Sequence, residues 1–137
     1  MKKLQDTLVY KMLMIKTKIQ DASREAFQEL GITKENFITM YIIYEHPGIT
    51  QAEVAELNHK DRNVITKFID KLEKRQFVRR VQSPVDRRSY CLYLTEAGEA
   101  IVPQYWNVVT EAEKRWMDRL TEEEQTQLHT LLDKLMD

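Results

Sequence analysis

Between Lys60 and Arg88 the chain gathers ten Lys or Arg against four acids, a local balance of +6 within 137 residues whose formal total is −1. The rest therefore carries −7. Cations concentrated on one segment of an otherwise acidic chain suit one surface that meets phosphate. Residue types inside the segment divide that work: Arg can fork onto guanine and Asn onto adenine, while Lys meets phosphate as a point charge. Arg62, Asn63, Thr66 and Lys67 stand at helical spacing. Arg87 and Arg88 close a turn-rich run, Ser83-Pro84-Val85-Asp86-Arg87-Arg88.

Other chemistries find little material. No glycine-rich phosphate loop, nucleophile elbow or paired-carboxylate arrangement stands in a recognisable context, so an enzyme is not expected. His46, His59 and His129 lie too far apart for metal-ligand spacing, and neither metal nor cofactor is expected. Cys91, alone in the chain, makes no internal disulfide and fits a reducing compartment. Its neighbours Tyr90, Leu92 and Tyr93 suggest strand packing, with a thiol-based redox sensor as the alternative. The first apolar stretch is broken by Gln5, Asp6 and Lys11, which argues against an export signal or membrane span and points to the cytoplasm.

The length fits one domain, 1–137, and three Gly with three Pro leave little for long loops. Leu4, Leu8, Met12, Ile15, Ile19 and Ala22 recur every three or four residues, with Val9 and Leu13 widening the stripe, so a long amphipathic helix is expected up to Gly31. Thr33 caps the next, stapled by Ile32 and Phe37 and ending before Pro47-Gly48. Thr50-Gln51-Ala52-Glu53 is a capping box that opens a short helix to about Leu57. After a turn at Asn58-His59-Lys60, Asp61 caps a helix with Val64, Ile65, Phe68, Ile69 and Leu72 inward and Arg62, Asn63, Thr66, Lys67, Asp70, Lys71 and Lys74 outward.

Two short helices about a tight turn, the second basic on its exposed side, make a helix-turn-helix. Phe77–Val81 and Tyr90–Leu94 read as strands of a hairpin with a basic tip. Thr95 starts a helix in which Pro103 marks a kink or a delayed start, and Thr121-Glu122-Glu123-Glu124 opens a last one carrying Leu128, Leu131, Leu132 and Leu135. The fold class is mostly α with a small β-hairpin wing: a winged core at about 33–98, with about 1–30 and 99–137 joining two copies.

These residues resemble the MarR family of bacterial transcription regulators. The similar features are Thr50-Gln51 with Val54-Ala55, then Val64-Ile65-Thr66-Lys67 leading into Asp70-Lys71-Leu72-Glu73-Lys74-Arg75, Asp86-Arg87-Arg88-Ser89, and Leu94-Thr95-Glu96-Ala97-Gly98. The resemblance implies a triangular homodimer whose terminal helices interdigitate and whose winged helices read double-stranded DNA at a pseudo-palindromic operator, most often as a repressor. It places Arg88 in the minor groove with Asp86 holding its guanidinium. Thr50, Gln51, Arg62, Asn63, Thr66 and Lys67 fall on the DNA side, with Lys60, Lys71 and Arg87 on phosphates. The family often has glycine where His59 and Gln76 stand, near helix ends that call for positive φ.

Several readings stay open. Arg79 and Arg80 serve as strand-edge charges or as phosphate contacts. A winged helix that binds protein without DNA competes with the regulator, since fold alone does not fix function. The resemblance also implies a small aromatic or anionic effector, for which Phe27, Phe37, Tyr41 and Tyr44 could form a pocket or be plain core.

Overall fold

The computed structural model describes residues 1–137. A 3-10 turn at Leu4–Asp6 precedes α1 (Leu8–Leu30), α2 (Lys34–Glu45), α3 (Gln51–Asn58), α4 (Arg62–Lys74), β1 (Val78–Gln82), β2 (Tyr90–Leu94), α5 (Glu96–Met117) and α6 (Glu122–Met136). Two compact units form, one from Arg24–Asn107 and one from Met1–Ser23 with Val108–Asp137. No helix is long and apolar enough to cross a membrane.

Local chemistry sets the starts of these helices. The Thr33 hydroxyl accepts from the Asn36 N–H at 3.0 Å while the Asn36 side chain accepts from the Thr33 N–H at 3.1 Å, a reciprocal box completed by Asn rather than Glu. Thr50 with Glu53 and Thr121 with Glu124 repeat the device at α3 and α6. At α6 the Thr121 N–H and hydroxyl hold the Glu124 carboxyl below its ordinary range. Each box satisfies donors that the first helical turn leaves unpaired.

The core of the Arg24–Asn107 unit is built from Phe27, Phe37, Met40, Ile43, Val54, Ile65, Ile69, Leu72, Val78, Leu92 and Val102, all buried. Antiparallel β1 and β2 pair Val78 with Leu94 and Arg80 with Leu92. The first strand begins at Val78 rather than Phe77, because the Phe77 N–H is occupied in closing α4 on the Leu72 carbonyl at 2.9 Å. Val64, expected inward, is exposed: at the 3.6-residue repeat the seam of α4 falls on Ile65, Ile69 and Leu72, and Val64 sits on its flank. Pro103 does not delay α5, which runs unbroken from Glu96. The missing N–H strips a partner from the Glu99 carbonyl, but both residues lie on the exposed side, where water can replace it.

In the other unit, Val109 and Ala112 are buried, and the Trp116 ring lies under the Arg119 guanidinium at 4.4 Å and within 5.5 Å of the Lys18 ammonium. The Gln125 amide ties the α5–α6 turn, donating to the carbonyls of Met117 at 2.9 Å and Leu120 at 3.2 Å. Leu8, Val9, Met12, Leu13 and Ile15 of α1 and Leu131, Leu135 and Met136 of α6 are nevertheless exposed. Exposed apolar surface of this extent is of the kind that association covers.

Two turns carry the strain that the sequence suggests. His59, just after α3, has φ 51°, and Gln76, just after α4, has φ 63°. Both occupy the left-handed region, where a side chain costs free energy that glycine avoids. The side chain of Gln76 is exposed, and the turn uses only its backbone, whose carbonyl accepts from the Thr95 hydroxyl at 2.6 Å. Gln76→Gly should therefore raise stability by about 0.5–1 kcal/mol. Gly98 is the opposite case, since a Cβ there would stand 2.2 Å from the Phe77 carbonyl oxygen. Gly98→Ala should cost about 1–3 kcal/mol through forced backbone movement. Urea midpoints at constant m-value check both signs.

Candidate nucleic-acid interface

The presented helix is α4. Asp61 starts it, its carboxylate accepting from the Asn63 N–H at 2.9 Å. The turn from α3 closes through His59, whose left-handed conformation lets the Lys60 N–H reach back to the Ala55 carbonyl at 3.0 Å. With Ile65, Ile69 and Leu72 wholly buried, the opposite face must be open. Arg62, Asn63, Lys67, Lys71 and Lys74 are exposed there and Thr66 is half-buried.

Not all of the sequence-derived residues are free to bind. The Thr50 hydroxyl is committed in both directions, donating to the Glu53 carboxylate at 2.9 Å and accepting from the Glu53 N–H at 3.2 Å. Gln51 and Thr66 hold each other, the amide of Gln51 donating to the Thr66 hydroxyl at 3.2 Å, and that hydroxyl donates to the Arg62 carbonyl at 2.9 Å. Lys60 is exposed beside the turn.

The wing loop between β1 and β2 is organised by its own backbone. The Ser83 N–H donates to the Ser89 carbonyl at 2.9 Å, and the Ser89 N–H returns to the Asp86 carbonyl at 3.0 Å. The Ser83 hydroxyl oxygen accepts from the N–H groups of Val85 and Asp86, each at 3.2 Å. The Asp86 carboxylate grips the backbone N–H of Arg88 at 3.0 Å, not its guanidinium. An Asx turn of this kind shapes the loop around Arg88 rather than holding its fork. Arg87 and Arg88 extend from it, exposed.

Helix and wing border one open groove of about 730 Å³, lined by Arg62, Thr66 and Glu73 of α4, Gln51 and Ala52 of α3, Arg80 of β1, and Arg88, Ser89 and Tyr90 at the wing. Residues 62, 66 and 88 are thus brought together. Arg80 is the element that the sequence leaves undecided. Its guanidinium meets Asp70 at 2.6 Å and Glu73 at 3.0 Å, and its Nε donates to the Gln51 side-chain oxygen at 2.8 Å. The signal lay in the strand's alternation, which puts position 80 on the same side as buried Val78, and in the Asp70/Glu73 pair one turn apart on α4. Arg79 points to the other side and packs over the Tyr93 ring at 4.7 Å.

The four aromatics considered for a ligand belong to a larger cluster. Phe27 and Phe37 are buried with ring centroids 5.4 Å apart, and Tyr105 stands 5.5 Å from Phe27. Tyr41 stacks on Trp106 at 4.3 Å and lies 6.0 Å from Tyr44. Tyr44 and Trp106 stay exposed on one side. Cys91 is half-buried on β2, opposite Val81 and bridged through its backbone to Thr50.

Comparison with known proteins places this arrangement. A model of the MarR family matches residues 32–90, the whole of α2 through the wing loop. The HTH-type transcriptional repressor Mb2911 of Mycobacterium bovis is 30% identical over 110 residues, covering 80% of this chain and 79% of that protein. A transcriptional regulatory protein named for the hcr operon of Thauera aromatica is also 30% identical, over 105 residues; the match covers 77% of this chain but 63% of that relative's length. Among solved structures, a single-site mutant of MarR from E. coli complexed with operator DNA superposes with a TM-score of 0.89 at 26% identity, covering 99% of this chain and 100% of the other.

Proposed function

We propose that this chain, which belongs to the MarR family, is a cytoplasmic transcriptional regulator that binds double-stranded DNA as a homodimer and represses transcription from a pseudo-palindromic operator. The observation that carries the reading is that Arg62 and Thr66 of α4 and Arg88 of the wing line a single groove, so a helix of major-groove size and an arginine loop face the same way. Asn63 and Lys67, exposed on the same helix, supply further base-edge and phosphate donors. The wing's free guanidinium suits a neighbouring minor groove, where the potential is negative and a shallow code leaves shape and charge to be read.

Pairing of two copies rests on the apolar residues that α1 and α6 leave exposed, Leu8, Val9, Leu13, Leu131 and Leu135 among them. Two subunits related by a twofold axis would read half-sites about 34 Å apart on one face of the duplex. The relatives' names support regulation rather than an enzyme activity. For an effector, the exposed rims of Tyr44 and Trp106 offer a stacking surface that the sealed pair Phe27 and Phe37 does not.

Electrophoretic shifts with random genomic fragments at low salt test the DNA reading directly. A retarded complex is expected; no shift would favour a winged helix devoted to protein contacts. In titrations at fixed salt on a selected fragment, Arg88→Ala should weaken binding by about 1–3 kcal/mol, more than Lys71→Ala. Lys71→Ala should instead lower the slope of log K against log salt by about one for each phosphate contact removed. Equal losses for the two variants would count against the wing assignment.

A further inference from the structure

The structure assigns to Arg80 a positioning role: we propose that it is a three-way clamp setting the distance and angle between α4 and the wing, and through them sequence specificity, rather than a residue that touches DNA. The proposal rests on the DNA-binding reading above.

The strand's alternation turns Arg80 toward α4 on the side of buried Val78, and its side chain is only 16% exposed although it lies at the edge of the groove. A guanidinium offers five N–H donors in a rigid plane, and here each of its three nitrogens has an acceptor. Nη2 meets Asp70 at 2.6 Å, Nη1 meets Glu73 at 3.0 Å and Nε meets the Gln51 oxygen at 2.8 Å. The backbone N–H of Arg80 adds a contact to the second Glu73 oxygen at 3.4 Å. One residue of β1 is thereby tied to α4 and to the first residue of α3. The chain of contacts continues, since Gln51 donates to Thr66, which lines the groove beside Arg62.

Two features separate a clamp from a phosphate contact. Asp70 and Glu73 lie on the outward side of α4, where bare carboxylates would repel DNA; Arg80 neutralises one of these charges and is itself occupied. Second, the carboxylates remain 60% and 45% exposed, so each ion pair adds little to stability by itself. What the fork does supply is direction: it spans three elements at once, and a lysine at 80, with one flexible ammonium, could not hold three acceptors in fixed geometry.

The test uses the full chain as Arg80→Met, Arg80→Lys and the near-isosteric pair Asp70→Asn/Glu73→Gln, the last serving if a change at 80 prevents folding. Two readouts are taken: amide hydrogen exchange across Val78–Leu94 without DNA, and the ratio of affinities for a selected operator and a random duplex. A clamp requires faster hairpin exchange in all three and a specific-to-random ratio reduced about tenfold, the scale of one lost base-pair contact. Random-duplex binding by Asp70→Asn/Glu73→Gln should hold or tighten, because two negative charges leave the surface. Three results would overturn the clamp: hairpin exchange at the wild-type rate in every variant, full recovery with lysine, or an equal loss on both duplexes with a shallower salt slope, as for a phosphate contact. If wild-type protein shifts no DNA, the DNA reading fails by itself, and hairpin exchange still decides whether Arg80 fixes the wing.

Discussion

A helix that enters a groove must be anchored on one side and bare on the other, and its rotation about its own axis decides which side is which. In α4 that rotation is set by Ile65, Ile69 and Leu72, all fully buried, at intervals of four and three residues. Each such side chain favours burial by about 1.5–3 kcal/mol, while the polar residues opposite cannot be buried without partners. Turning the helix by one residue, roughly 100°, would expose the seam and bury Arg62 or Lys67. The outward cations, the groove shared with the wing and the reach of Arg80 to Asp70 and Glu73 all follow from this one seam.

The ends of α4 are held with less freedom than an ordinary helix requires. Left-handed residues stand before and after it, His59 at φ 51° and Gln76 at φ 63°, where family resemblance suggests glycine. Strain of this kind persists where surrounding contacts over-determine the backbone. At one end the Lys60 N–H is bound by the Ala55 carbonyl, and at the other the Gln76 carbonyl is bound by the Thr95 hydroxyl. The helix is thus fixed in position by turns and in rotation by packing, and the wing is referred to it through the Arg80 fork.

What the sequence displayed well were features whose physics is local. The boxes at Thr50 and Thr121 need only residues three apart, the cap at Thr33 was visible although its closure by Asn36 was not, and the α4 seam needs only a helical repeat. Both positive-φ turns were legible from glycine's absence in a resembling pattern. Less legible were features that depend on which surfaces meet. For Arg80 the alternation of β1 and the Asp70/Glu73 pair were visible separately, but their meeting depends on β1 lying against α4, and the partnership of Tyr41 with Trp106 joins residues far apart in the chain. Asp86 illustrates a subtler limit: proximity to Arg88 was correct, yet its carboxylate serves the Arg88 backbone, because a turn two residues long offers an N–H more readily than a flexible side chain. Val64 lies one residue, roughly 100°, off the seam and so on its flank, and Pro103 is tolerated inside α5 because the Glu99 carbonyl that it orphans lies on the exposed side.

The most direct measurement of the central claim, that an anchored helix and an arginine loop present one combined surface to the duplex, is a hydroxyl-radical footprint on a selected operator. Protection in short minor-groove tracts on one face of the DNA, flanking major-groove centres about 34 Å apart, is the predicted pattern. A continuous unphased footprint, or protection confined to a single tract, would contradict it.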